Sequence, residues 1–126
     1  MNYGEIKTAI VNRSHRADLT SHVPEFIALA ESEYNRRTGS GYEIAGADTK
    51  HNWLSDNAQD VYIFGGLAQL AVYTNDDNAL QKYTALYERA VSQAHYAEVR
   101  ESGVLDETVE TDLPIVGSSN ILEGTP

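Results

Sequence analysis

Four histidines, nineteen carboxylates and the glycines Gly39, Gly41 and Gly46 are the groups with which this 126-residue chain could hold a metal, cleave a glycoside or cradle a phosphate. Each fails on spacing. No two of His15, His22, His51 and His95 stand four residues apart, and none follows a Glu by three residues as carboxylate-bridged di-iron bundles require. They read as surface or interface residues, and no metal ligand is assigned. Gly41 and Gly46 have the glycine spacing of a P-loop. Ala47 and Asp48 occupy the places of the Lys and the Ser or Thr, and Asp48 would repel a phosphate. Glu31 and Glu33 diverge on a helix and Asp76 and Asp77 suit capping, so neither pair supplies the raised acid and the partner carboxylate of a glycosidase. No Gly-x-Ser-x-Gly turn presents a serine, and the absence of cysteine removes thiolate nucleophiles, thiolate metal sites and disulfides. Catalytic and cofactor-binding residues are therefore assigned nowhere.

The elements are easier to read. Asn2 and Glu5 form a capping pair ahead of Ile6, Ala9 and Ile10, which predicts a helix from Tyr3 to about Asn12. The polar stretch Arg13-Ser14-His15-Arg16-Ala17-Asp18 is a linker, and Pro24 opens a second helix reaching Arg37. Phe26, Ile27, Ala30 and Tyr34 line its buried face, with Glu25, Glu31 and Glu33 turned to water. Residues from about 38 to 54 sustain neither period and read as a loop, with a brief extended piece from Tyr42 to Ala45.

Ser55 or Asp56 caps a third helix whose apolar positions, Ala58 through Val72, bury it on more than one side. Gly65 and Gly66 in its middle each cost about 1 kcal/mol relative to Ala, which points to another backbone coming very close. Asn75-Asp76-Asp77-Asn78 turns the chain into a fourth helix carrying Leu80, Tyr83, Leu86, Tyr87, Ala90, Val91 and Ala94. Tyrosines spread over these helices suit packing with the hydroxyl at the water's edge, or an oligomer interface.

Composition agrees with one small helical domain. Val, Ile, Leu and Phe make up 28 of the 126 residues, a modest core, and the chain adds fourteen alanines and eight tyrosines. The expected fold is all-α: a four-helix up-and-down core over residues 1–100 and an extended C-terminal arm over 101–126. No run approaches the roughly 20 apolar residues of a membrane span, and the start lacks a basic segment followed by an apolar one, so a soluble chain outside the membrane is expected. The net charge of −10 disfavours gripping phosphates by counterion release. Residues 101–126 hold six acidic residues and no Lys or Arg, yet also Val104, Leu105, Val109, Leu113, Ile115, Val116, Ile121 and Leu122. That is too much apolar surface for a solvating tail, and implies an arm that orders on a partner.

Two blocks carry a family likeness. Asn2-Tyr3-Gly4-Glu5-Ile6-Lys7-Thr8-Ala9-Ile10, continued by Arg16-Ala17-Asp18-Leu19 and Val23-Pro24-Glu25-Phe26-Ile27-Ala28-Leu29-Ala30-Glu31, resembles the start of head-to-tail adaptor proteins of tailed phages, also called tail accessory or head-completion proteins. Asn52-Trp53-Leu54, Asp60-Val61-Tyr62-Ile63-Phe64-Gly65-Gly66-Leu67, and Asp76-Asp77 through Tyr83, Leu86, Tyr87 and Ala90 resemble that family's C-terminal hairpin. The likeness covers residues 2–37 and 52–94. The chain is a shortened form, because the family's longer, partly β insertion before the Asn-Trp-Leu segment is here a short link.

The resemblance implies a homo-oligomeric ring, a dodecamer in most of the family, docked beneath the portal protein at the head-tail junction of a virion and made in the host cytoplasm. The ring extends the DNA channel to a downstream tail or nozzle protein, and DNA passes without specific binding and without a cofactor. On this reading Tyr62, Phe64, Gly65 and Gly66 serve helix packing and oligomer contacts, and the arm docks on the portal through Leu113, Ile115, Val116, Ile121 and Leu122. Carboxylates of residues 51–126 that face the channel would repel DNA and let it slide. An acidic regulatory module that mimics DNA is the alternative from another class, and a carboxylate-dependent muramidase ranks third.

Overall fold

A strong N-terminal cap starts the first helix of this computed structural model, which describes residues 1–102. The Asn2 side chain accepts from the Glu5 N–H at 2.8 Å and the Glu5 carboxylate accepts from the Asn2 N–H at 2.8 Å, a full capping box. Helix α1 spans Tyr3–Ser14, two residues beyond expectation, and ends on His15 in the left-handed region. The linker is a 3-10 turn, Ala17–His22, feeding α2, Val23–Thr38. A short helix absent from the sequence reading, α3 at Trp53–Asn57, precedes α4 at Gln59–Thr74, and α5 runs from Asp77 to Ser102.

The described residues adopt the all-α character read from the sequence, and the extended arm expected over 101–126 lies, past Ser102, outside them. Residues Met1–Ala94 form one compact unit, and a second begins at His95 within α5. In the first unit α4 lies at the centre. Ile10 of α1 faces Gly66, Ala30 of α2 faces Gly65, and Tyr87 of α5 also faces Gly65. Phe26 meets Tyr73 while Glu31 meets Tyr62, so α2 runs antiparallel to α4. The four long helices alternate in direction. In the second unit, the described end of α5 brings His95 Nδ1 3.8 Å from Glu98 and Arg100 over the Tyr96 ring.

Two expectations are corrected. Asn52, not Ser55 or Asp56, is the cap here. It accepts from the Ser55 N–H at 2.8 Å and heads α3, while α4 begins after it with no side-chain cap. Ser55 answers from inside the box, its hydroxyl oxygen accepting from the Asn52 N–H. Glu31 is buried at 8% exposure instead of facing water. Among the described residues no strand forms at 42–45. That stretch is fastened to α2 by side chains: Asn35 brackets Tyr42, donating to its carbonyl and accepting from its N–H, and the Ile44 N–H donates to Glu31.

Candidate functional site

The residues singled out on α4 divide by the direction in which helical spacing sends them. Tyr62 is fully buried and its hydroxyl donates to Glu31 Oε2 at 2.6 Å while accepting from Asn52 Nδ2 at 3.1 Å. The same Glu31 oxygen takes the Ile44 N–H at 2.9 Å. Three segments distant in sequence thus converge on one carboxylate. Burial is the main cause of the raised Glu31 pKa, opposed by the hydrogen bonds from Tyr62 and Ile44. Burial and the adjoining carboxylate push the Tyr62 phenol upward as well.

Gly65 and Gly66 occupy the closest helix approaches. A Cβ on Gly65 would stand 2.5 Å from Ala30 Cβ and 2.7 Å from the Tyr87 ring, and one on Gly66 would stand 2.5 Å from Ile10 Cδ1. Tyr87 spans the α2–α5 gap, its hydroxyl donating to the Ala30 carbonyl at 2.8 Å. Burial raises its pKa above the usual phenol value, with Glu33 adding to the effect.

Phe64 points elsewhere, to the rim. Its ring stacks on Tyr83 at 6.3 Å between centroids, and the Arg13 guanidinium lies 5.6 Å from its centre. Leu113, Ile115, Val116, Ile121 and Leu122 lie outside the described residues.

A second aromatic group lies where α2 meets α4, with Phe26 buried and Tyr73 half exposed. His22, Phe26 and Tyr73 form an aromatic cluster, with centroids 4.9 Å apart for His22 and Tyr73 and 5.7 Å for Phe26 and Tyr73. Tyr73, Val72 and Leu29 are all roughly half exposed. Leu29 lies one turn from Phe26 on α2.

His51, Asp76 and Asp48 make contacts that hold local structure. His51 Nδ1 sits 2.7 Å from Asp56, and this hydrogen bond is the first cause of the lowered Asp56 pKa. Asp76 accepts from the Ala79 N–H at 3.1 Å as a cap. Asp48, which would repel a phosphate, instead pairs with Lys7 at 2.9 Å, and its carbonyl accepts from the Gly4 N–H, an otherwise unpaired donor at the start of α1. No cluster of three or more His, Asp or Glu is placed to hold a metal among the described residues. No described helix is long and apolar enough to cross a membrane. Set against models of protein families, curated proteins and solved structures, the chain matches none of them.

Proposed function

We propose that this chain is a structural head-to-tail adaptor of a tailed phage: a ring, dodecameric as in the family it resembles, that lies beneath the portal in the virion, extends the DNA channel and joins a downstream tail or nozzle protein. The carrying observation is that the two sequence blocks resembling such adaptors, residues 2–37 and 52–94, coincide with the four packed helices, while the short link between them is folded back onto α2 and α1. The half-exposed apolar side chains of Leu29, Val72 and Tyr73 on α2 and α4 support the reading further, since exposed apolar surface is available for contact with another protein. The segment 101–126 is assigned to the portal on the family likeness. The role asks for no catalysis, and channel-facing carboxylates would keep the passing DNA from sticking.

The test is electron microscopy and native mass spectrometry of the protein with and without purified portal. A ring, alone or on the portal, is the expected result. A monomer that ignores the portal and binds a basic protein overturns it in favour of the DNA mimic. Turnover of cell-wall sugars overturns it in favour of the muramidase.

A further inference from the structure

Two cations flank a pair of stacked rings drawn from three helices on the flank of α4 that carries Phe64. Arg13 at the end of α1 covers the Phe64 ring, Phe64 stacks on Tyr83 with 20° between planes, and Lys82 Nζ lies 5.2 Å from the Tyr83 centre. Arg89 follows Lys82 by two turns on the same face of α5. Beside this ladder is a cavity of about 230 Å³, lined by Arg13, Arg16, Leu67, Leu70, Ala71 and Tyr83 among others.

Lys7, Arg16 and Arg37 each have a carboxylate partner, on Asp48, Asp18 and Glu88 respectively. Arg13, Lys82 and Arg89 have none within ion-pair distance among the described residues. Asp76 also lines the cavity, but its Oδ1 is engaged by the Ala79 N–H. In a chain of net charge −10, the unpaired Arg13 and Lys82 over two half-buried rings form a surface suited to an acidic partner with apolar side chains.

The sequence holds such a partner. Between positions 103 and 126 it carries Asp106, Glu107, Glu110, Asp112 and Glu123 with no Lys or Arg, and Val109 stands among the first four. We propose that the Arg13–Phe64–Tyr83–Lys82 patch receives the acidic stretch 106–112 of a second copy of the chain, so that each subunit clasps its neighbour. The inference rests on the ring reading above and leaves residues 113–122 for the portal.

The test is sedimentation velocity and native mass spectrometry of the full chain, alone and on purified portal, with circular dichroism to check that each variant is folded. Two variants break opposite sides of the clasp: R13Q/K82Q on the patch and D106K/E107K/E110K/D112K on the acidic stretch. Each should raise the concentration for half-assembly about tenfold, and salt should act in the same direction on the wild type. Combining R13E/K82E with the four-lysine variant should restore assembly to within about threefold of wild type.

A ring that forms equally well in every variant, or a charge swap that fails to rescue, overturns the clasp and leaves the adaptor reading standing. Salt-dependent burial of the stretch within a monomer, with assembly unchanged, also overturns it. A wild type that stays monomeric with and without the portal overturns both.

Discussion

Gly65 is the residue at which a single methyl group would do most damage. Its would-be neighbours cannot step aside: Ala30 has no rotamer to change, and Tyr87 is tethered by its hydroxyl to the Ala30 carbonyl. Helix propensity favours Ala over Gly by about 1 kcal/mol, whereas overpacking a close contact costs about 1–3 kcal/mol. Gly65→Ala should therefore lower stability by up to about 2 kcal/mol net. In urea unfolding this reads as a lower midpoint with an unchanged slope. Gly66→Ala meets chiefly the rotatable Cδ1 of Ile10 and should cost less. An unfolding midpoint that falls further for Gly66 than for Gly65 contradicts this account.

Glu31 gives the pH dependence at the same scale. Its pKa in the folded chain lies above the ordinary 4.5, chiefly through burial. The folded chain then keeps a proton that the unfolded chain has lost. The stability from this group is fully present below the unfolded value and declines as pH rises through the folded one. Glu31→Gln stays neutral and retains an oxygen for Tyr62 and Ile44, so it should gain on the wild type between pH 4.5 and 7. Glu31→Leu strands both donors and should cost about 2–4 kcal/mol. Urea midpoints at the two pH values decide it, and a wild type that gains on Glu31→Gln as pH rises contradicts the assignment.

Among the elements, the helices were legible and their junctions were not. Asn2 with Glu5 marks the start of α1 because both partners lie within four residues, and the apolar period of Phe26, Ile27, Ala30 and Tyr34 marks α2 for the same reason. Glu31 misleads because acidic residues at 25, 31 and 33 look like one wet face. Yet position 31 follows Ile27 by four and precedes Tyr34 by three, which places it on the buried side. Helix α3 leaves no sequence signal because five residues are too few for a period. Its cap, Asn52, joins two structures, since the side chain that holds Ser55 also donates to the Tyr62 hydroxyl. Asn52→Ala removes both bonds and should cost about 1–2 kcal/mol, near the upper end for a cap. Thermal unfolding checks it, and a loss comparable to that of an exposed loop substitution would show that the cap holds nothing in place.

At the scale of the whole molecule, tertiary placement creates what no sequence window contains. The glycine pair in α4 announced close packing because mid-helix glycines are otherwise costly. The cationic ladder gave no such signal, since Arg13, Phe64 and Tyr83 come from three separate helices and only folding brings them into one row. Charge is likewise uneven along the sequence. Five of the nineteen carboxylates fall after position 102, where there is no Lys or Arg, while the helical unit holds every cation up to Arg89. Assembly, if it proceeds through that imbalance, responds to ionic strength.

The contact of Gly65 with Ala30 and Tyr87 also constrains how this lineage can diverge. With no spare volume at their meeting point, a descendant that enlarges one of the three must shrink another in compensation. Positions 30, 65 and 87 should therefore drift as a linked trio, a correlated signature by which distant cousins can be recognised after the surrounding surface has changed.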